Sequence, residues 1–106
     1  MAWVHLVIAI LLEVSGTTSM KLSRGFSEFW PSVAVFGFYS LSIVFLTLAI
    51  NRIDISIAYA IWSALGTAVV ATIGIVWFGE AVTASKLFFL AVIVAGVVGL
   101  KLAEAA

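Results

Sequence analysis

The chain has no cysteine and only one proline and one histidine, and only 9% of its 106 residues are charged. Without cysteine it cannot form a disulfide, a thiolate metal site or a cysteine nucleophile. Charge is too scarce to cover a soluble domain, in which about a quarter of residues are normally charged. The formal net charge is zero and no basic run is present, which argues against a nucleic-acid partner. Lipid is therefore the expected solvent for most of its surface.

Apolar residues dominate what is present, at 65% of the chain with a mean hydropathy of +1.33. A helix that crosses a hydrocarbon core of about 30 Å needs roughly 20 such residues. Two stretches carry no charge, another contains only Glu13, and the last is bounded by Lys86 and Lys101, whose side chains can snorkel. The first lacks the basic start of a signal peptide, so it is predicted to be a retained span. We predict an all-α integral membrane protein, a single domain over residues 1–106 with spans at 2–21, 30–50, 55–78 and 83–103.

Four spans place both termini and the second connection on one membrane face, and the other two connections on the opposite face. The basic residues then divide two against three, Arg52 and Lys101 against Lys21, Arg24 and Lys86. Because this division is nearly equal, the positive-inside rule does not predict one orientation over the other. Either the chain is too short for the count to matter, or it inserts in both orientations.

One ionisable residue, Glu13, interrupts the apolar stretch "AILLEVSGTTSMKL". A charged carboxylate at the centre of a membrane helix costs on the order of 3 kcal/mol, and such residues usually face a pathway inside the bundle. Ala9, Gly16 and Thr17 share its helix face and leave space beside it. This pattern favours a site of proton exchange. The alternative is a protonated glutamate that only hydrogen-bonds to another helix.

Aromatic and hydroxyl side chains recur at helical spacing in the middle spans. Tyr59, Trp62 and Ser63 lie close together in the third span, and Tyr39 and Ser42 are three residues apart in the second. A carboxylate would pair with a positive charge, the rings would attract a cation through their faces, and hydroxyls could orient the acid. The set is typical of a site for an organic cation, although ordinary helix packing also explains aromatic residues.

The fourth span carries small residues at four-residue intervals, Ala91, Ala95 and Gly99. Such a stripe lets two helices approach closely, which predicts an association face. Transporters commonly enclose a midplane site between two related halves. A chain that supplies one half needs a second copy of itself, and its balanced charge would permit an antiparallel pair.

From "LEVSGTTSMKLSRGF" through "WPS" and "AYAIWSALGT" to "AGVVGLKL", essentially the whole chain resembles a small multidrug resistance transporter. The resemblance implies a four-helix protomer in the bacterial plasma (inner) membrane, active as a homodimer or paired heterodimer and commonly antiparallel. It implies proton-coupled antiport of small organic cations with no cofactor, and Glu13 as the shared proton and cation site. The predicted substrate-binding residues are Trp62, Tyr59, Tyr39, Ser42, Ser63, Gly16, Thr17 and Ala9. The predicted dimer contact is formed by Ala91, Ala95, Gly96 and Gly99.

The residue one helical turn after Glu13 indicates the branch of the family. Guanidinium exporters typically carry a tryptophan there, whereas Gly16 followed by "TTSMK" resembles the multidrug branch. We therefore predict export of hydrophobic, quaternary ammonium or aromatic cations. Guanidinium export stays open because that branch also uses Ser42, and polyamine-type heterodimers share much of the pattern. A non-transporting membrane scaffold is the alternative from another class. No nucleophile–base pair or metal-ligand cluster appears in the sequence, so neither an enzyme nor a metal site is expected.

Overall fold

The computed structural model describes residues 1–105, which form four helices. They are α1 (Ala2–Leu22), α2 (Phe29–Ile50), α3 (Ile55–Val76) and α4 (Ala84–Ala105). All four are long and apolar enough to cross a membrane. The predicted all-α fold with four membrane spans is thus confirmed, and the helices leave only short connections between them.

The connection between α1 and α2 is a tight turn with three consecutive residues of positive φ, Arg24, Gly25 and Phe26. This region is uncommon for residues with a Cβ atom, so other contacts must hold the turn. Ser23 supplies them. Its buried hydroxyl donates to the Met20 carbonyl at 2.7 Å and accepts the Phe26 N–H at 3.1 Å.

Helix α3 ends two residues before the end predicted for the third span. Trp77 is its C-cap, and Gly79 follows in the left-handed region with φ +68°. The chain then turns back, because the Glu80 N–H donates to the Gly74 carbonyl at 3.0 Å. The connection to α4 therefore starts by folding over the last turn of α3.

The apolar core lies in the half of the bundle that contains the N-terminus and the α2–α3 connection. α1 packs most closely on α2, α3 lies beside α1, and α4 packs on α3. The C-terminal half of α1, from Glu13 to Lys21, contributes little to this core and lines cavities instead. The buried cluster comprises Leu6, Ile10, Val14, Ala49, Ile53, Ala58, Ile61 and Val97.

Helix α4 is the least buried of the four. Within residues 84–103 a single side chain, Val97, is buried. The four residues of the predicted dimer contact, Ala91, Ala95, Gly96 and Gly99, are all exposed in the protomer. They are thus available to lipid or to a second protein, and their role in a dimer stays a prediction.

Candidate functional site

Glu13 is half-buried on α1, and its two carboxylate oxygens have different surroundings. Oε1 accepts a hydrogen bond from the Thr17 hydroxyl at 3.1 Å, one helical turn further on. Oε2 is buried and has no hydrogen-bond partner among the described residues. No basic side chain of the described chain forms an ion pair with Glu13. Because a buried polar atom without a partner is costly, this oxygen is suited to bind a proton or a cation.

Gly66 of α3 allows the carboxylate to approach the α3 backbone. A Cβ atom at this position would lie 2.6 Å from Glu13 Oε2. The described α3 is one continuous helix across this region. Gly66 therefore serves the packing of the carboxylate here.

A hydrogen-bonded chain joins α2 to the carboxylate. The hydroxyls of Thr17 and Tyr39 are bonded to each other. Since Thr17 donates its only hydroxyl proton to Glu13, Tyr39 must be the donor to Thr17. Gly16 makes room for the phenol ring, because a Cβ there would lie 3.0 Å from Tyr39 Cδ2. Tyr39 and Gly16 thus support the acid through Thr17.

Ser42 and Ala9 lie in the interface between α1 and α2. The Ser42 hydroxyl is fully buried and donates to the Ala9 carbonyl at 2.8 Å, and the Ala9 side chain is also fully buried. This bond fastens α2 to α1 one turn before Glu13. Neither residue lines the cavity at Glu13, and their predicted contact with substrate stays a prediction.

A cavity of about 330 Å³ opens beside the carboxylate between α1 and α3. This volume falls at the low end of the roughly 300–1,000 Å³ usual for ligand sites. Among its residues, Gly66, Thr67, Val70 and Ala71 are absent from the sequence-predicted site. Gly66 and Thr67 lie one turn after Ser63, and Val70 and Ala71 lie one turn further on, so helical spacing from Ser63 is the signal that could have found them. The lining is formed by Glu13, Thr17, Gly66, Thr67, Val70 and Ala71.

The predicted aromatic pair, Tyr59 and Trp62, precedes the residues of this cavity along α3. The rings of Tyr59 and Trp62 contact each other with centroids 5.3 Å apart. Tyr59 is exposed, whereas the Trp62 Nε1 is buried and has no hydrogen-bond partner among the described residues. Trp62 is four residues before Gly66 and shares its helix face. Ser63 is half-buried, and its carbonyl accepts the Thr67 hydroxyl at 2.7 Å. These residues adjoin the cavity of a single protomer but do not line it.

Comparison with known proteins identifies the family. A family model described as Small Multidrug Resistance protein matches residues 1–93. The uncharacterized membrane protein YvaE of Bacillus subtilis is 47% identical over 104 residues, 98% of this chain and 87% of that protein. Multidrug resistance protein EbrB of Bacillus subtilis is 41% identical over 101 residues, 95% of this chain and 86% of EbrB. A guanidinium exporter of Yersinia pseudotuberculosis is 40% identical over 104 residues, 98% of this chain and 100% of the exporter. The chain, a multi-pass bacterial membrane protein, belongs to the small multidrug resistance family of transporters.

Proposed function

We propose that this protein is a proton-coupled antiporter that exports hydrophobic quaternary ammonium or aromatic cations. The observation that carries the proposal is the half-satisfied carboxylate of Glu13. One oxygen accepts a hydrogen bond from Thr17, while the other is buried and has no hydrogen-bond partner in the part of the chain that the structure describes. Among the described residues that line its cavity, the polar side chains besides Glu13 are the hydroxyls of Thr17 and Thr67, and none of these residues carries a positive charge.

Cation transport is coupled to proton transport because the cation and the proton compete for the Glu13 carboxylate. A deprotonated Glu13 attracts a cation, whereas a protonated Glu13 has lost the charge that holds it. Exchange then requires only that each occupied form can expose the site to either side, with the populations shifted by the bound ligand.

A homodimer is the form that we propose for the working transporter. The cavity is lined by residues of α1 and α3 alone, so one protomer supplies only part of its wall. Ligand sites usually bury about 70–90% of the ligand surface. A second copy would cover the open side and bring the rings of its own Tyr59 and Trp62 towards the cation, where their faces attract positive charge.

Guanidinium export is a second candidate with support of its own. The relative from Yersinia pseudotuberculosis is named a guanidinium exporter and is matched over its full length. The cavity of about 330 Å³ is small, and a planar guanidinium can donate two hydrogen bonds to one carboxylate. The geometry of Glu13 is compatible with both kinds of cation.

Transport currents distinguish these functions. The purified chain is reconstituted alone in proteoliposomes, a proton gradient is applied, and currents with tetrapropylammonium are compared with those with guanidinium. We expect tetrapropylammonium currents that Glu13→Gln abolishes. Currents with guanidinium alone would support the second candidate. Currents only after a paralogue is added would indicate a heterodimer, and Glu13→Gln protein that transports like the wild type would refute a site at Glu13.

A further inference from the structure

A second cavity continues the one at Glu13 towards the membrane face. Its volume is about 190 Å³, and it shares Thr17, Val70 and Ala71 with the first cavity. Its far end is lined by Lys21, in the last turn of α1, and by Glu80, in the connection after α3. The two cavities therefore adjoin between α1 and α3, and together they outline a candidate path from the region of the buried carboxylate to a charged mouth.

Two carboxylates lie on the same face of α3 along this path. Glu13 packs on Gly66, and Glu80 packs on Gly74, where an added Cβ atom would lie 2.8 Å from Glu80 Cδ. The two glycines are eight residues apart, which corresponds to about 12 Å along a helix axis. Each glycine thus leaves room for one carboxylate against α3, with Glu13 inside the membrane and Glu80 at its surface.

The mouth contains more positive than negative charge. Glu80 is 46% exposed, and its Oε1 lies 4.0 Å from the Lys86 Nζ. That ammonium also donates to the Ala81 carbonyl at 3.1 Å, and Lys21 lines the same cavity. Among the described residues that line this cavity or pair with Glu80, the Glu80 carboxylate is the one negative group opposite the ammonium groups of Lys21 and Lys86.

We propose that Glu80 forms an outer cation site, through which an organic cation passes on its way to or from Glu13. The inference rests on the transport function proposed above. A chamber of about 190 Å³ is below the roughly 300 Å³ at which ligand sites usually begin. It therefore suits the brief passage of a charged group better than lasting storage of a whole ligand. The role of Glu80 is to offset Lys21 and Lys86 and so raise the local concentration of cations.

The test is the dependence of transport on ionic strength. Tetrapropylammonium currents of the full chain are measured at about 10 mM and about 1 M ionic strength, where the Debye length is about 30 Å and about 3 Å. We expect Glu80→Gln to raise KM about threefold to tenfold at low ionic strength, because loss of attraction slows encounter. At high ionic strength the difference from wild type should disappear.

Glu28→Gln is the matched control, because Glu28 is an exposed acid on the same membrane face that lines neither cavity. Lys86→Gln frees Glu80 of its paired ammonium and should lower KM at low ionic strength, opposite to Glu80→Gln. This second variant decides the question if Glu80→Gln protein fails to fold.

The outcomes separate the two proposals. If wild-type protein gives no current that depends on Glu13, the transport function fails and the outer site fails with it. If the wild type transports but Glu80→Gln behaves like Glu28→Gln, only the outer site is overturned. A KM for Lys86→Gln equal to that of wild type would also overturn it.

Discussion

The carboxylate of Glu13 lies directly against the backbone of Gly66, so α1 and α3 meet at this point with no α3 side chain between them. The contact fixes the position of an ionisable group relative to a second helix. A movement of α3 along α1 would therefore change the surroundings of the acid, which is the kind of link that alternating access requires.

Gly66→Ala should weaken cation binding. The new Cβ atom would lie 2.6 Å from Oε2, so the carboxylate must shift from the position in which it accepts the hydrogen bond from Thr17. We expect a loss of about tenfold in affinity, or about 1.4 kcal/mol, measured by titration of the purified protein with tetrapropylammonium. The control is Gly37→Ala on α2, where an added Cβ meets nothing within 4 Å. Equal affinities for the two variants would contradict the contact.

Tyr39→Phe should weaken the positioning of the Glu13 carboxylate while keeping the aromatic ring at position 39. The change deletes the donor to Thr17, which itself donates to Glu13. Because a hydrogen bond contributes about 1 kcal/mol net, we expect a threefold to tenfold rise in KM for tetrapropylammonium. Tyr59→Phe, which keeps the exposed ring of the aromatic pair, should leave KM near the wild-type value. The chain of hydroxyls has no role in binding if the two variants do not differ.

Ser42→Ala should lower stability more than it alters selectivity. The buried hydroxyl bonds to the Ala9 carbonyl, and its loss should cost about 1 kcal/mol of folding free energy. Thermal unfolding in detergent, with the exposed Ser40→Ala as control, measures this change. The ratio of guanidinium to tetrapropylammonium currents should stay at the wild-type value. A shifted ratio with unchanged stability would instead indicate direct contact with substrate.

Gly96→Leu should weaken the dimer and leave the protomer intact. An added Cβ at Gly96 meets nothing within 4 Å, and the same holds at Gly37 on α2. A fall in the dimer fraction for Gly96→Leu that is missing for Gly37→Leu would therefore indicate a contact between proteins at this face of α4. We expect a lower dimer fraction in cross-linking of proteoliposomes. Two variants with the same dimer fraction as wild type would exclude this face of α4 from the contact.

Helix number and the site's central acid could be predicted from the sequence because both depend on local patterns. Apolar runs of sufficient length define the spans, and a carboxylate in such a run is costly enough to be conspicuous. Thr17 could be placed beside Glu13 because a four-residue separation puts two side chains on one helix face.

The contacts between helices could not be predicted in the same way. These contacts depend on how far one helix is shifted along another. Examples are the packing of Glu13 against Gly66 and the hydrogen bond from Ser42 to the Ala9 carbonyl. Periodicity within each helix does not contain that shift. The return of Glu80 over Gly74 depends in addition on the left-handed backbone of Gly79, which a sequence pattern alone indicates only as a turn.

The most direct test of the proposed transport function asks whether the cation and the proton compete for Glu13. Tetrapropylammonium is titrated into the detergent-purified protein by calorimetry at one pH in buffers of different ionisation enthalpy, which reports the protons released on binding. We predict proton release when tetrapropylammonium binds to the wild type, and neither binding nor proton release for Glu13→Gln. Binding to the wild type without proton release, or unchanged binding to Glu13→Gln, would contradict it.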